Sequence, residues 1–449
     1  MRTVAFHTLG CKLNFAETST LERAFVKDGF EVLPFEAAAD VYVINTCSVT
    51  ENADKECRKL VGSIHKKNEQ SLICLIGCYA QLKPAEIAAI PGVDIVLGAS
   101  EKFNLLQFVK SYQRDSLPLV HACEVEAADT FVGSYSLGSR TRAFLKVQDG
   151  CDYTCSYCTI PLARGFSRSD GMDNILRQVD QIVASGVKEI VLTGVNIGDF
   201  GKGENGNKKH EHTFLELLQR LDLETSVERF RISSIEPNLL SDAIIEFVAA
   251  SRAFVPHFHI PLQSGSDAVL RKMRRRYLTD LYRNRLNRIL ALMPDACIGV
   301  DVITGFPGET EEDFQITHNF LHELDISYLH VFTYSERENT DAALMPLSVA
   351  KGIRKERNAR LRNLSAKKLH YFYQKQIGKT FPVLWEADNK DGIMTGFTPN
   401  YVKVGSPYNP AKINTVSRVA LNKLSPNWVE GIEFEHELNS LDMFEKISI

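Results

Sequence analysis

The first 113 residues alternate short apolar runs with amphipathic stretches. The apolar runs are rich in β-branched residues and predict strands, at residues 4–8, 40–45, 72–77 and 94–98. The stretches between them have helical periodicity, at residues 15–27, 51–67 and 84–90. Such alternation is typical of a parallel sheet covered by helices. We therefore expect an open parallel-sheet α/β domain over residues 1–114.

A second α/β series follows residues 115–139, which lose periodicity and are predicted to be a linker. Its predicted strands lie at residues 143–147, 189–193, 230–233, 257–260, 298–303 and 328–333. Helical stretches separate most of them. Six βα units in series predict a partial (β/α)6 barrel over residues 140–375, whose site lies at the carboxyl ends of the strands.

The pattern changes again near residue 376. Short β-like runs are separated there by Asn, Asp, Pro and Gly, at residues 380–386, 392–398, 401–404 and 415–424. This pattern predicts a small antiparallel β-barrel over residues 376–449.

Composition narrows the class of protein. The 449 residues are 44% apolar and 24% charged, which excludes disorder, collagen and coiled coil as the main character of the chain. No apolar stretch approaches the ~20 residues that a membrane span needs. The first residues do not form the apolar run of a signal peptide. We therefore expect a cytoplasmic protein with no membrane partner.

Charge is unevenly distributed, although the net charge is only −4. Residues 271–288 hold eight basic side chains and one acidic one, and residues 351–379 hold ten basic side chains and one acidic one. A polyanion-binding face would explain this segregation. Two solvated helix faces would explain it equally well.

Three cysteines lie close together after the first predicted strand of the barrel: Cys151, Cys155 and Cys158. Thiolates are the natural ligands of iron–sulfur centres. Three of them would leave the fourth iron of a cubane open, whereas a structural zinc ion would usually need a fourth ligand. The CxxxCxxC spacing, with Tyr157 before the last cysteine, resembles the signature of the radical S-adenosylmethionine (SAM) superfamily.

A second set of cysteines is spread through the first domain. Cys11, Cys47 and Cys78 each follow the end of a predicted strand. Parallel strands present these ends at one edge of the sheet, so three distant thiols can meet at one cluster. Read singly, each could be an ordinary buried thiol. That ordinary role is the one expected for Cys74, Cys123 and Cys297.

Two such sets, followed by a small β module, resemble the methylthiotransferases of the radical SAM superfamily over essentially the whole chain. The resemblance implies an N-terminal methylthiotransferase domain, a radical SAM core and a C-terminal TRAM domain. It implies two 4Fe–4S clusters, an auxiliary one on Cys11, Cys47 and Cys78 and a SAM-cleaving one on the other three cysteines. One SAM would supply the radical and another the methyl group. A flavodoxin- or ferredoxin-like electron donor is implied as well, whereas the sulfur donor is not identified.

The same resemblance implies residues that contact SAM. Gly194, Ser233 and Gln263 stand at or just beyond the ends of predicted barrel strands, where the superfamily binds this cofactor. The segment 160–169 resembles the family segment after the cysteine loop, but Asp170 replaces the family's final arginine.

Three branches of the family are familiar, acting on isopentenyladenosine in tRNA, threonylcarbamoyladenosine in tRNA, or an aspartate of a ribosomal protein. Segments 158–165 and 231–237 most resemble the threonylcarbamoyladenosine branch. This implies methylthiolation of the second carbon of that base at position 37, with the tRNA anticodon stem-loop as partner. Open alternatives are the other two branches, a radical SAM enzyme whose auxiliary cluster only transfers electrons, and a non-catalytic RNA-binding protein with structural metals.

Overall fold

The computed structural model describes residues 2–47, 51–113, 117–122, 130–137, 141–203 and 209–433. Its N-terminal part is a six-stranded sheet in the order β2-β1-β3-β4-β5-β6, and all neighbours run parallel. The strands are β1 Thr3–Thr8, β2 Glu31–Leu33, β3 Val41–Thr46, β4 Leu72–Gly77, β5 Ile95–Leu97 and β6 Leu119–His121. The helices are α1 Lys12–Lys27, α2 Glu51–Lys67, α3 Cys78–Leu82, α4 Pro84–Ala88 and α5 Leu105–Ser111. The predicted open parallel sheet is confirmed.

Several strands were not predicted, and three of them precede the barrel. One is β2, a mostly exposed edge strand of three residues, too short for an apolar alternation to show. The other two lie in the predicted linker: β6 extends the first sheet, and β7 (Ser134–Tyr135) pairs with the first strand of the barrel. These two segments of the predicted linker therefore form short strands. Part of the range 115–139, including Cys123, lies outside the described residues.

The central part forms a partial barrel, as predicted. Its strands are β8 Arg142–Lys146, β9 Gln148–Asp149, β10 Arg168–Ser169, β11 Glu189–Thr193, β12 Arg229–Ile232, β13 His257–His259, β14 Cys297–Thr304 and β15 Tyr328–Thr333. Six of them run parallel in the order β8, β11, β12, β13, β14, β15, with single bridges joining β12 to β13. The helices are α6 Ile160–Arg164, α7 Met172–Ala184, α8 Phe214–Glu224, α9 Asp242–Ala250, α10 Asp267–Lys272, α11 Thr279–Leu292, α12 Glu311–Glu323 and α13 Lys351–Gln374.

The N-terminal domain packs directly on this barrel. Phe15 and Ala16 of α1 join an apolar cluster with Phe144 of β8 and Val191 of β11. Burial of these apolar side chains stabilises the contact. The first helix of one domain therefore covers strands of the other.

The C-terminal part is a closed five-stranded barrel. Its strands are β16 Thr380–Trp385, β17 Ile393–Phe397, β18 Lys403–Pro407, β19 Val416–Leu424 and β20 Val429–Glu433. They close in the order β16-β17-β18-β20-β19 around an apolar core that includes Trp385. The expected small barrel is confirmed, except that β18 and β20 pair in parallel.

Among the helices in the described ranges, none is both long enough and apolar enough to cross a bilayer.

Candidate functional site

The first cysteine set lies at one edge of the N-terminal sheet. Strands β1, β3 and β4 are neighbours, and Cys11, Cys47 and Cys78 follow their carboxyl ends. The register aligns Thr46 with Gly77, so the next residues on the two strands, Cys47 and Cys78, begin from the same level. Cys47 and Cys78 are buried and Cys11 is exposed. The structure therefore brings together the three distant thiols, as the strand pattern predicts.

Two glycines permit this close approach. Gly10 has φ +97°, and a Cβ there would lie 2.8 Å from the Sγ of Cys47. Gly77 has φ +98°, and a Cβ there would lie 2.5 Å from Oδ1 of Asn45. Both backbone conformations belong to the region that glycine adopts without strain. Each glycine directly precedes a cysteine of the set.

A buried charge network joins this edge to the barrel. The Glu17 carboxylate on α1 lies 2.7 Å from Nζ of Lys102, 3.2 Å from Nζ of Lys146 and 3.2 Å from Nη1 of Arg164. Burial by itself would raise the pKa of Glu17, but these cations hold it well below its usual range. Glu17 is fully buried, and the three cations are almost fully buried. A charged Glu17 therefore clamps the first domain to the second.

Cations outnumber carboxylates in this network. Asp149 also contacts Arg164 at 2.9 Å and Arg168 at 3.3 Å, so four cations face only two acids. Burial raises the pKa of Cys78, whereas the charge of Arg164 lowers it. Excess positive charge beside three thiols suits a metal–thiolate centre of net negative charge, because buried charges need partners.

The second cysteine set occupies the loop between β9 and α6, at the carboxyl end of the first barrel strand. The N–H of Cys158 donates to the carbonyl of Cys155 at 3.1 Å, which folds the loop back on itself. The Arg275 guanidinium donates to Sγ of Cys155 at 3.2 Å. Burial raises the pKa of Cys151 and of Cys158 to about 12. A bound metal centre must therefore displace protons from these thiols.

The spacing of the thiols speaks against a single metal ion at either set. Tetrahedral zinc with Zn–S bonds of about 2.3 Å places its sulfurs about 3.8 Å apart. Within the described ranges, one group brings three potential ligand atoms within 4.8 Å of one another, and it is His259, Asp301 and His330. Neither cysteine set does so. Three thiols held farther apart fit a multinuclear cluster better than a single ion.

A cavity of about 240 Å³ opens beside the second set. Its walls come from the cysteine loop, the ends of β14 and β15 and the segment after β15, and they include Cys158, Gln263, Asp301 and Arg337. Nη1 of Arg337 donates a hydrogen bond to Oδ2 of Asp54 on α2 at 2.8 Å. Helix α2 follows the Cys47 segment, so residues from both domains meet at this cavity.

The three residues expected to contact SAM have different positions. Gln263 lines the cavity, with its backbone at φ +68°. Gly194 follows β11. A Cβ on Gly194 would lie only 3.0 Å from Oε1 of Gln148. Ser233 follows β12, and its buried hydroxyl has no hydrogen-bond partner in the described structure. A polar ligand reaching this edge of the barrel would satisfy that hydroxyl.

The remaining cysteines that the structure describes lie outside both sets. Cys57, Cys74 and Cys297 are buried, and burial raises the pKa of Cys57 and Cys297 to about 12. Cys74 and Cys297 lie in apolar clusters, as expected for ordinary buried thiols. Cys123 lies outside the described residues.

Several residues that shape the site were not found from the sequence. Lys12, Glu17 and Arg164 lie inside or beside the cysteine motifs, but their partners are distant, as with Glu17 and Lys146, 129 residues apart. Asp301 offered a usable signal, because a charged residue inside an otherwise apolar strand marks the inner face of a barrel.

The two basic tracts are largely neutralised in three dimensions. Acidic side chains from other elements pair with their cations: Arg275–Glu236, Arg283–Glu323, Arg285–Asp242, Arg288–Glu246, Arg357–Glu309, Arg360–Glu311, Lys375–Asp325 and Lys379–Asp295. The charge segregation in the sequence therefore overstates the positive charge that these helices present to a polyanion.

Asp170, which replaces the arginine of the family segment, has a local structural role. Its carboxylate accepts hydrogen bonds from the side chains of Asn174 and Gln178 at 2.7 and 2.8 Å and from the N–H of Gly171 at 3.0 Å. It therefore fixes the start of α7.

Two family models match the chain. Residues 3–98 match the uncharacterized protein family UPF0004, and residues 145–321 match the radical SAM superfamily. The two matched segments carry the first and the second cysteine set respectively.

Curated relatives match nearly the whole chain. The chain is 40% identical to the threonylcarbamoyladenosine tRNA methylthiotransferase MtaB of Bacillus subtilis, with 96% of each protein covered. It is 32% identical to the tRNA-2-methylthio-N(6)-dimethylallyladenosine synthase of Methylacidiphilum infernorum, over 87% of this chain and 85% of that protein. Among solved structures, the radical SAM methyltransferase TsrM of Kitasatospora setae has a TM-score of 0.53 at 15% identity, covering 76% of this chain and 77% of that one. That likeness supports the fold alone.

Proposed function

The chain belongs to the radical SAM tRNA methylthiotransferases and is an enzyme of that family, and we propose that it adds a methylthio group to the second carbon of N(6)-threonylcarbamoyladenosine at position 37 of tRNA. The observation that carries this proposal is the placement of two three-thiol sets around one interface. Arg164 is the link, because it contacts Glu17 of the first domain at 3.2 Å and follows Cys158 by six residues. Sulfur transfer to a carbon radical needs two such sites to be neighbours.

We assign Cys151, Cys155 and Cys158 to the 4Fe–4S cluster that the radical SAM family implies. We assign Cys11, Cys47 and Cys78 to a second 4Fe–4S cluster. When bound, the cluster on Cys151, Cys155 and Cys158 would act with one SAM to supply the deoxyadenosyl radical that removes hydrogen from the base. The cluster on Cys11, Cys47 and Cys78 would handle the sulfur, whose donor is not identified, and another SAM would supply the methyl group. The electron donor is of the flavodoxin or ferredoxin kind.

The side chains around the clusters would bind and orient SAM and stabilise the cluster thiolates. Gly194, Ser233 and Gln263 lie at the ends of barrel strands, where they would hold SAM against the open metal. Arg275 places a positive charge at Cys155, which stabilises its thiolate. The cavity lined by Gln263 and Arg337 would enclose the reacting atoms, and exclusion of water protects a radical from side reactions.

The tRNA anticodon stem-loop is the proposed partner. A base in a single-stranded loop can leave its stack at a cost of a few kcal/mol and enter a pocket. The threonylcarbamoyl branch is favoured by the 40% identity over 96% of the chain to a relative that carries this substrate in its name.

Tandem mass spectrometry of tRNA nucleosides from a deletion strain tests the proposal. We expect threonylcarbamoyladenosine to lose its methylthio form, and a plasmid copy of the gene to restore it. Loss of the methylthio form of isopentenyladenosine instead would assign the enzyme to that branch, and an unchanged nucleoside profile would point to a protein substrate. A product that gains no sulfur would indicate an auxiliary cluster that only transfers electrons. Failure of the reconstituted protein to cleave SAM would leave a non-catalytic RNA-binding protein.

A further inference from the structure

The inner face of the barrel carries a polar group on three neighbouring strands. His259 of β13, Asp301 of β14 and His330 of β15 bring their ligand atoms within 4.8 Å of one another. Asp301 lines the cavity beside the second cysteine set. In the register of β14 and β15 it lies opposite His330. His330 lies two residues before Phe332, another cavity residue, and therefore on the same face of β15. The group thus adjoins the cavity through Asp301.

A lysine of the N-terminal domain lies near this group. Lys12 directly follows Cys11 at the start of α1, and its side chain is exposed. Burial lowers the pKa of His330, and the charge of Lys12 lowers it further, which indicates that the two side chains are near each other across the domain interface. Within the described part of the chain, its ammonium makes no ion pair and no hydrogen bond. An unpaired cation between two domains is available for an anionic ligand.

The arrangement suits an organic ligand better than a metal ion. Both ring nitrogens of His259 are engaged, Nδ1 with the Ser234 hydroxyl at 2.9 Å and Nε2 with Asp301 at 2.8 Å. The positive charge of Lys12 opposes a second cation nearby. A cation, a carboxylate and an imidazole side by side can bind a ligand that itself has a carboxylate and hydrogen-bond donors.

We propose that Lys12, His330 and Asp301 form the subsite for the N6 substituent of the target base, with Lys12 binding the carboxylate of its threonyl group. This inference rests on the proposed function. Asp301 and His330 bond the hydroxyl and N–H groups of the same substituent. Because Lys12 follows Cys11, the anchored substituent keeps the base beside the first cysteine set.

The subsite would discriminate between the two modified nucleosides after which relatives of this chain are named. A dimethylallyl group has no polar atom, so it would remove water from Lys12 and Asp301 without replacing the lost hydrogen bonds. A site with buried polar groups rejects a ligand that leaves them unpaired. The polar inner face therefore favours the threonylcarbamoyl substituent.

Binding measurements on the anaerobically reconstituted enzyme, without reductant so that no turnover occurs, test the subsite. Fluorescence anisotropy compares anticodon stem-loops that carry threonylcarbamoyladenosine, isopentenyladenosine or unmodified adenosine at position 37. We expect Lys12→Met to weaken binding of the threonylcarbamoyl RNA by about tenfold or more, because a hydrogen bond to a charged group contributes about 1.5–3 kcal/mol. Affinity for the unmodified RNA should not change. Lys12→Arg should retain most of the preference, and Lys27→Met at the other end of the same helix should bind like the wild type.

The outcomes separate this inference from the proposed function. Wild-type enzyme that prefers isopentenyladenosine RNA would overturn both. Wild-type enzyme that prefers threonylcarbamoyl RNA, with a Lys12→Met variant that keeps the same preference, would overturn the subsite alone. Equal weakening for all three RNAs would show that Lys12 binds phosphates. SAM also has a carboxylate, so weaker SAM binding in Lys12→Met, with RNA preference intact, would assign the lysine to the cofactor.

Discussion

Replacing Glu17 by Gln removes the negative charge on which three buried cations converge. Lys102, Lys146 and Arg164 lie within 3.2 Å of its carboxylate, and none has appreciable solvent contact. Removing one partner of a buried ion pair typically costs about 3–5 kcal/mol, because the remaining charge stays desolvated. We expect a loss of this size in the free energy that holds the N-terminal domain on the barrel.

Hydrogen–deuterium exchange of the cluster-free protein is the suitable assay. Both tryptophans, Trp385 and Trp428, lie in the C-terminal barrel, so tryptophan fluorescence would not report on the first domain. At 1.4 kcal/mol per tenfold, exchange in peptides covering α1 and β3 should accelerate by about a hundredfold to a few thousandfold. Glu22→Gln, the same change on the same helix but away from the buried network, should have little effect.

The pH dependence of the exchange rates provides a second test of the Glu17 interaction. The folded-state pKa of Glu17 lies below its ordinary value of 4.5, so its stabilisation is present above that pH and is lost as the pH falls below it. The difference between wild type and Glu17→Gln should therefore be full at pH 7 and shrink below pH 4.5. Equal exchange rates for the Glu17 and Glu22 variants at pH 7 would refute the clamp.

Four further substitutions, with Gly62→Ala as a control, test the rest of the site. Cys155→Ala should abolish reductive SAM cleavage, whereas Cys47→Ala should retain part of it and lose sulfur insertion; equal loss of both activities in Cys47→Ala would contradict the division of labour between the two sets. Arg275→Met should lower the midpoint potential of the cluster next to Cys155 in an EPR-monitored titration, because hydrogen bonds to sulfur stabilise the reduced state; an unchanged potential would exclude this role. Gly77→Ala should lower the free energy of unfolding by about 1–3 kcal/mol through backbone strain, whereas Gly62→Ala, with open space around it, should be neutral or stabilising in chemical unfolding.

Much of the fold was predictable because its elements are local. The run 72–77 is apolar throughout, which predicts a strand buried on both faces, and β4 has these bounds. The cysteine loop was predictable for the same reason, since three thiols within eight residues need no long-range contact to come together. Strands β2 and β7 were missed, because two or three residues are too few to show a period.

The edge placement of Cys11, Cys47 and Cys78 needed one physical rule in addition to the sequence. Neighbouring parallel strands end at the same edge, so strand prediction was sufficient to bring together cysteines more than 30 residues apart. The ion pairs, in contrast, could not be predicted from the strand pattern. The basic character of residues 271–288 is plain in the sequence, but its neutralisation by Asp242, Glu246 and Glu323 is not.

The sequence by itself determined the order of the domains, the strands and the two sets of thiols, because these depend on periodicity and on short spacings. Only the tertiary structure decided which charges meet. Glu17 meets Arg164 across a domain interface that no local pattern encodes. The physical reason is that electrostatic interaction depends on distance and burial, and both are fixed only when remote segments have packed together.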